Sequence, residues 1–588
     1  MFAVVLAVAA VLLAVSGGVR ANVGGLRVSA QSPWPTVALS VISLGAWAFL
    51  AWRRDAVASD LVAAWEVVDR RGSTLVVAIA VASGTAAVVF ATWSAAGADA
   101  SGYLSEAAQW ASGRLLRADS LSMHLDLAFE RGVTAPLGWR PSTMRGWQAP
   151  TYPPGLPLIM SVPYLAAGAA GACLVVGVLA SVAVWATGAI AITFGGGAAG
   201  VVAALVLATA PVFLFQSVQP MSDVPVTAMW LLCWWLLVRH SGTGNREPGT
   251  NPPRGGKPSL SAEALRAKVE GLPAGLACAL AILIRPNLAP LALVPLFAAR
   301  GARVRFAVPV VVAGVFLALL QWYWYGSPLR SGYGTAEDLF AVANVPSNLS
   351  RYSGWLRETS PLLILAVPGW WLARRQSYAT PMAAFGALVV AAYLGYAVFE
   401  DWSYLRFLLP ALAVGAVFVG VLGSVLLTLV PVAARVLIAV AAVLVLVALG
   451  IGAARARDAF RLVDQQRRIV QLANVLAPKL AAADVIVSGE QSGAMRFYTG
   501  REIVRWDALT TEDWNITIET LSSNGHGVWI VLDAWEEPRF RARAGEQTAA
   551  LDWPPAIDAG DTHRTRAWRL ADRARFIAGE NVTTERIR

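Results

Sequence analysis

The chain has 588 residues, of which 57% are hydrophobic and only 14% charged, with a formal net charge of +10. A soluble domain carries about 25% charged residues, so this deficit excludes an ordinary soluble enzyme and indicates a polytopic membrane protein. The positive balance does not point to nucleic acid, because the arginines lie in short loops between apolar runs and in the tail, where they act as topology signals.

In chain order, residues 2–16 read as a short first helix, since no clean small-residue cleavage site follows them. Residues 36–52 and 74–95 follow as spans, each near the ~20 residues that cross a bilayer. Arg53, Arg54, Arg70 and Arg71 mark the loop between them as cytoplasmic. The next loop, 96–157, therefore faces outside. It opens with Ala98-Asp99-Ala100-Ser101-Gly102-Tyr103-Leu104 and closes with Thr151-Tyr152-Pro153-Pro154-Gly155-Leu156-Pro157. It sets a carboxylate at the mouth of a membrane helix and returns the chain to the bilayer through a stiff Pro-Pro-Gly corner.

Residues 156–168 predict a half-inserted or juxtamembrane helix, and 171–193 and 198–216 a pair of spans joined by Gly195-Gly196-Gly197. That pair brings Met221-Ser222-Asp223-Val224-Pro225 to the same side as Asp99. A helix over 222–239 descends to a Gly-, Pro-, Arg- and Lys-rich linker, 241–268. The apolar segment 271–298 is interrupted by Arg285-Pro286-Asn287. One crossing would leave Arg300, Arg303 and Arg305 outside, whereas a hairpin bending at Arg285 keeps them in the cytoplasm. Pro286 supplies the break, and an arginine inside a membrane segment costs ~2.5 kcal/mol or more unless it meets a cavity or a partner.

Residues 306–325 rise to Trp322-Tyr323-Trp324-Tyr325, and a second outer loop, 326–356, begins Gly326-Ser327-Pro328-Leu329-Arg330-Ser331-Gly332-Tyr333-Gly334. Spans near 357–373 and 379–398 lead to Glu400-Asp401-Trp402, then Tyr404-Leu405-Arg406-Phe407-Leu408-Leu409-Pro410 re-enters. The last spans, 407–428 and 434–454, bring the total to about thirteen crossings. Beyond 456 the pattern changes to an amphipathic helix over 458–478, β-branched runs at 485–488 and 528–532, and a helical stretch at 511–523. The chain thus divides into two N-terminal helices and a loop (1–73), a membrane region (74–455) and a small extracytoplasmic α/β domain (456–588). Cys173, Cys233 and Cys278 lie within apolar runs as buried small hydrophobes, no CxxC, HExxH or nucleotide-binding glycine motif occurs, and no internal repeat is visible.

Asp99, Asp223, Arg330 with Tyr333, and Arg406 fall on the outer face, with Arg285 reaching toward it from the hairpin. A carboxylate beside an acceptor hydroxyl can act as general base, and arginines can hold a phosphate leaving group through charge-assisted bonds. Plainer readings stand beside these. Asp99 can be a solvated helix end, Asp223 an N-cap for a helix starting at Val224, Arg406 a snorkelling anchor and Tyr152 a cap on the corner.

With Asp99, Tyr103-Leu104 and Ala107, Tyr152-Pro153-Pro154-Gly155-Leu156-Pro157, Ser222-Asp223-Val224-Pro225, Gly326-Ser327-Pro328-Leu329, Gly332-Tyr333-Gly334 and Arg406-Phe407-Leu408-Leu409-Pro410 in this order, the chain resembles the GT-C superfamily of polyprenyl-phosphate-sugar glycosyltransferases over about residues 74–454. That superfamily includes protein O-mannosyltransferases and lipid A aminoarabinose transferases. The resemblance implies a multi-pass plasma-membrane enzyme moving a sugar from a polyprenyl-phosphate carrier to a protein, lipid or glycan acceptor outside the cytoplasm, with inversion. Asp99 would be the base; Asp223, Arg285, Arg330, Tyr333, Arg406, Tyr152 and Tyr103 would bind substrate. Two positions depart from the pattern: Ala100 follows Asp99 where many relatives have a second acid, and Tyr152 precedes the proline pair where aminoarabinose transferases place a basic residue. A divalent metal therefore stays open, with no ligand set assigned. The alternatives are a transporter or flippase of a lipid-linked glycan, which calls for paired repeats and midplane charges, and a membrane sensor whose exported domain binds ligand.

Overall fold

The computed structural model describes residues 19–23, 26–30, a few positions between 35 and 46, and then 55–125, 132–239, 260–544 and 551–587. The expected helix 2–16 lies outside the described residues, as do nearly all of 36–52 and the first part of the 241–268 linker. The end of that linker is helical, because the helix Leu260–Ile284 starts earlier than expected. Val19–Val23 and Leu26–Ala30 pair as an antiparallel hairpin that the apolar pattern did not indicate.

Among the described residues, five helices are long and apolar enough to cross a membrane: Gly72–Val89, Gly155–Ala208, Arg303–Tyr325, Trp402–Thr428 and Ala434–Ala456. Five shorter apolar helices accompany them. Gly155–Ala208 is broken twice, at Ala167-Gly168 and at Gly196, where φ is +59° and +81° at the two glycines. The joints fall where the sequence placed a short leading helix and a triple-glycine turn. The middle leg packs on Gly72–Val89 through Gly84, Gly177 and Gly188, and the last leg on Leu409–Thr428 through Gly420, Ala199 and Ala203, as membrane helices do when close van der Waals contact replaces hydrophobic drive. Trp230 and Trp234, both fully buried, pack on Phe385 at ring distances of 4.8 and 5.9 Å.

Leu260–Ile284 ends at Arg285, whose φ of −139° and ψ of 88° are extended rather than helical. The ring of a following proline excludes the α region for the residue before it, so Pro286 fixes the break. A 3-10 stretch, Pro286–Ala292, and a short helix, Leu293–Ala298, carry the chain back. Gly271, near the start, ends up against Ala302, 2.7 Å from a Cβ placed on the glycine, so the segment returns to the level it left.

The polar loop 326–356 is more ordered than its polarity suggested. It contains Ala336–Leu339, opened by a capping box between Thr335 and Asp338, and the helix Val345–Thr359 with proline in its first turn. Asn348 explains why the latter is held in place. Its side-chain amide donates to the carbonyls of Leu394 (3.1 Å) and Tyr396 (2.7 Å), satisfying the open end of Ala379–Leu394.

The C-terminal part forms a six-stranded mixed sheet in the order Glu585–Ile587, Ile557–Ala559, Thr565–Arg569, Val528–Asp533, Val485–Ser488, Glu502–Val504. The two longest apolar strands, Val485–Ser488 and Val528–Asp533, are parallel neighbours and wholly buried, which requires cover on both faces. Helix Leu462–Leu476 packs Ile469, Leu472 and Leu476 on one face against Ile486 and Val531. On the other face Trp514 and Phe540 meet Val485, Ile530 and Leu532, and Leu121, Leu125 and Val133 from the loop 96–157 join that same core. The α/β unit is thereby built onto the loop that carries Asp99.

Candidate active site

Asp99 sits in the first turn of the helix Ala98–Ala111 rather than in a loop. An acid there is favoured by the helix dipole, and Gly97, with φ of +77°, sets the helix start. The α/β unit holds this start from above: Gly97 N–H donates to Gln491 Oε1 at 3.3 Å and Ala95 N–H to the Tyr498 hydroxyl at 2.8 Å. Tyr103 lies one turn beyond Asp99 on the same helix face. Its ring packs on Tyr152 at 4.6 Å, and Tyr152 meets Tyr333 edge-on at 5.9 Å. Gly102 makes this possible, since a Cβ there would stand 2.1 Å from the Tyr152 ring. Burial first, and then the charge of Asp99, push the phenols of Tyr103 and Tyr152 upward, so both remain protonated donors.

The Pro153-Pro154 corner starts the long helix at Gly155, and a Cβ on Gly155 would lie 2.4 Å from the backbone of Leu283 and Ile284. This contact sets the corner directly beside Arg285. Arg285, 9% exposed, forms a close ion pair with Asp223 and donates to the Tyr393 hydroxyl at 3.2 Å and to Ser222 Oγ at 3.4 Å. Asn287 donates to the same tyrosine at 3.0 Å. Ser222 occupies the N-cap position and Asp223 is the first helical residue, with no side-chain capping bond from Ser222. The capping role considered for Asp223 is thus replaced: its carboxylate, 1% exposed, turns to the arginines instead.

Arg406 lies in the 3-10 stretch Trp402–Leu408, opened by Asp401 accepting from Ser403 N–H at 2.8 Å. Its Nη1 donates to Asp99 Oδ2 at 2.9 Å, while Nε stands 3.9 Å from Asp223 Oδ1 with no hydrogen bond of its own. Phe407 lies under both guanidinium groups, 5.2 Å from Arg285 and 5.4 Å from Arg406. Two acids and two arginines therefore balance in one low-dielectric site, with both cations converging on Asp223. Buried charges persist only when paired in this way.

These side chains line a single cavity of about 260 Å³, shared by Asp99, Tyr103, Tyr152, Asp223, Arg285, Tyr333 and Arg406. Arg330 is the exception. It is exposed and lines a neighbouring hollow, which shares the wall formed by Tyr152 and Tyr333. Sequence reasoning missed Ser222, Asn287, Tyr393, Tyr396, Phe399 and Tyr404, all in the cavity wall. The aromatic series Tyr393, Tyr396, Phe399, Trp402, Tyr404 and Phe407 across an apolar re-entry was the available signal. Among the described residues, no group of three or more His, Cys, Asp and Glu side chains is placed to hold a metal ion.

No protein-family model matches the sequence, and no curated protein matches it. Among solved structures, the chain is similar to ArnT from Cupriavidus metallidurans bound to undecaprenyl phosphate, with 13% identity, 84% of this chain and 97% of that one covered, and a TM-score of 0.49. It is also similar to the oligosaccharyltransferase AglB from Archaeoglobus fulgidus in complex with an inhibitory peptide and a dolichol-phosphate, with 13% identity, 79% and 70% coverage and a TM-score of 0.48.

Proposed function

We propose that the chain is an integral-membrane glycosyltransferase that moves a sugar from a polyprenyl-phosphate carrier to a hydroxyl of a protein, lipid or glycan acceptor on the extracytoplasmic side. The observation that carries this reading is the bridge that Arg406 makes between Asp99 and Asp223, with Arg285 on the same Asp223 oxygen. Two guanidinium groups already aimed at one carboxylate oxygen supply the donor geometry that a phosphate oxygen takes up.

In this reading the carrier phosphate takes Arg406 as its partner, which leaves the Asp99 carboxylate free to act. Asp99 accepts the proton of the acceptor hydroxyl, and the acceptor oxygen attacks the anomeric carbon. The bond from that carbon to the phosphate oxygen breaks, and the electron pair leaves with the phosphate, whose charge Arg406 and Arg285 hold. A single displacement of this kind inverts the anomeric centre. Tyr103 and Tyr152, as protonated donors, would orient sugar hydroxyls. Residues 74–455 would form the catalytic body and 456–588 an outer unit steadying the Asp99 helix.

The test is transfer in membranes supplied with a panel of polyprenyl-phosphate sugars. Asp99→Asn should lower the rate by about a thousandfold while the protein still binds carrier phosphate. Unchanged transfer would remove Asp99 as base. A deletion strain that accumulates the lipid-linked sugar on the cytoplasmic leaflet would favour a flippase instead.

A further inference from the structure

A second hollow, about 980 Å³, lies on the other side of the Asp99 helix, where Ser105, Gln109 and Ser112 face it. Three arginines line it (Arg114, Arg117 and Arg496), and no carboxylate does among the described residues. Arg117 comes from the first outer loop and Arg496 from the α/β unit, so the fold brings two like charges from separate parts of the chain to one groove. Arg117 stacks on Trp139 at 4.6 Å and donates to Gln148, but its Nε is buried without a partner, as are both polar atoms of the Gln109 side chain. Arg496 pairs with Glu502 at 3.2 Å. Burial, and next the charge of Arg496, pull the Arg117 guanidinium down to about 9. Glu502 and Asp119, behind the groove wall, offset part of this repulsion, which leaves three arginines against two carboxylates for an added anion to balance.

The other wall of the groove belongs to the apolar body. Tyr164 and Ala169 flank the break at Gly168, and Tyr323 lies near the end of Arg303–Tyr325. Next to them, Val162, Leu165 and Trp322 are 70%, 71% and 61% exposed. Large apolar side chains this exposed, at the ends of membrane-length helices, face lipid. The groove therefore runs from basic protein on one side to a hydrocarbon-facing surface on the other.

We propose that this groove binds the headgroup of an anionic glycerophospholipid, with the phosphate between Arg117 and Arg496, Arg114 attracting it from the rim, and the acyl chains along Val162, Leu165 and Trp322. The site is separate from the Asp99 cavity and does not depend on the transfer reaction. Occupancy would tie the α/β unit to the outer loop by neutralising the arginines that each contributes.

Native mass spectrometry of the full chain in detergent tests this, with phosphatidylglycerol and phosphatidylcholine of identical acyl chains as probes. Retention of phosphatidylglycerol over phosphatidylcholine is expected, weakened about fivefold in Arg496→Gln and more in the charge reversal Arg114→Glu. Arg114 lies at the exposed rim, so its variant decides the matter even where loss of Arg496 disturbs folding. Equal retention of the two lipids, or a preference unchanged in Arg114→Glu, would overturn the proposal. So would displacement of phosphatidylglycerol by inorganic phosphate alone, which would show a site for a soluble anion.

Discussion

Arg406 and Asp99, 307 positions apart, meet at 2.9 Å, and the same guanidinium stands 3.9 Å from Asp223. One side chain thus connects the acid at the start of the Asp99 helix to the acid at the start of Asp223–Val238. A lysine has a single point charge where arginine has a planar fork. Arg406→Lys should therefore lower kcat/KM by about a hundredfold and Arg406→Ala by more, measured as transfer in membranes. Wild-type activity in Arg406→Lys would show that two-point contact is unnecessary.

The Arg285–Asp223 pair is the most buried of the four charges. Removing Arg285 leaves Asp223, at 1% exposure, without its nearest cation. Arg285→Ala should cost ~3–5 kcal/mol of stability, while Arg285→Met with Asp223→Asn should cost less than the two single changes together. Unfolding of the purified chain, arranged as a double-mutant cycle, measures this coupling. Strictly additive losses would mean that the pair does not act as one unit.

Gly102 allows the Tyr152 ring to lie against the Asp99 helix. In Gly102→Ala the new methyl would begin 2.1 Å from that ring, so the ring or the helix must move. The expected cost is ~1–3 kcal/mol, with a loss of transfer larger than the loss of folded protein, because the displaced ring forms part of the Asp99 cavity. Thermal unfolding and transfer, compared on the same preparation, separate the two effects.

The α/β unit contains a carboxyl group that should make its stability depend on pH. Glu536, 2% exposed, accepts from the N–H groups of Glu490 and Asp533, yet burial raises its carboxyl to about 7. Its ordinary value is 4.5, so between these limits the folded state holds a proton that the unfolded state has released. Stability should then fall as pH rises through that window, and Glu536→Gln should flatten the fall. Denaturation followed by hydrogen exchange of the Val485–Ser488 and Val528–Asp533 amides reads this, and a wild-type profile that rises with pH would contradict it.

Legibility varied with the range of the physics involved. The break at Arg285 could be read from sequence, because the exclusion of the α region before proline acts between adjacent residues. The joints at Gly168 and Gly196 were legible for a similar reason. By contrast, helix Val345–Thr359 falls in a stretch whose polarity predicts a loop. Its order comes from Asn348 capping a helix end 45 residues or more away, and no local pattern announces such a bond. Tyr393 was passed over inside an apolar span, since only a neighbouring Arg285 gives its hydroxyl a partner. Arg330 drew attention through its place beside Gly332-Tyr333-Gly334, but the side chain lies outside the wall that the tyrosine forms.

The sequence by itself determined where hydrocarbon-compatible segments begin and end, and which residues with acid, base or phosphate-binding chemistry stand at their margins. Hydropathy and proline and glycine sterics are local, so both survive without coordinates. Only the tertiary structure decided that Arg285 and Arg406 turn to the same Asp223 oxygen, that Asp223 gives up the capping position to Ser222, and that the α/β unit grips the Asp99 helix through Gln491 and Tyr498. Those outcomes depend on the direction of side chains brought together across hundreds of residues, where the energy of each pair exists only once both groups have left water together.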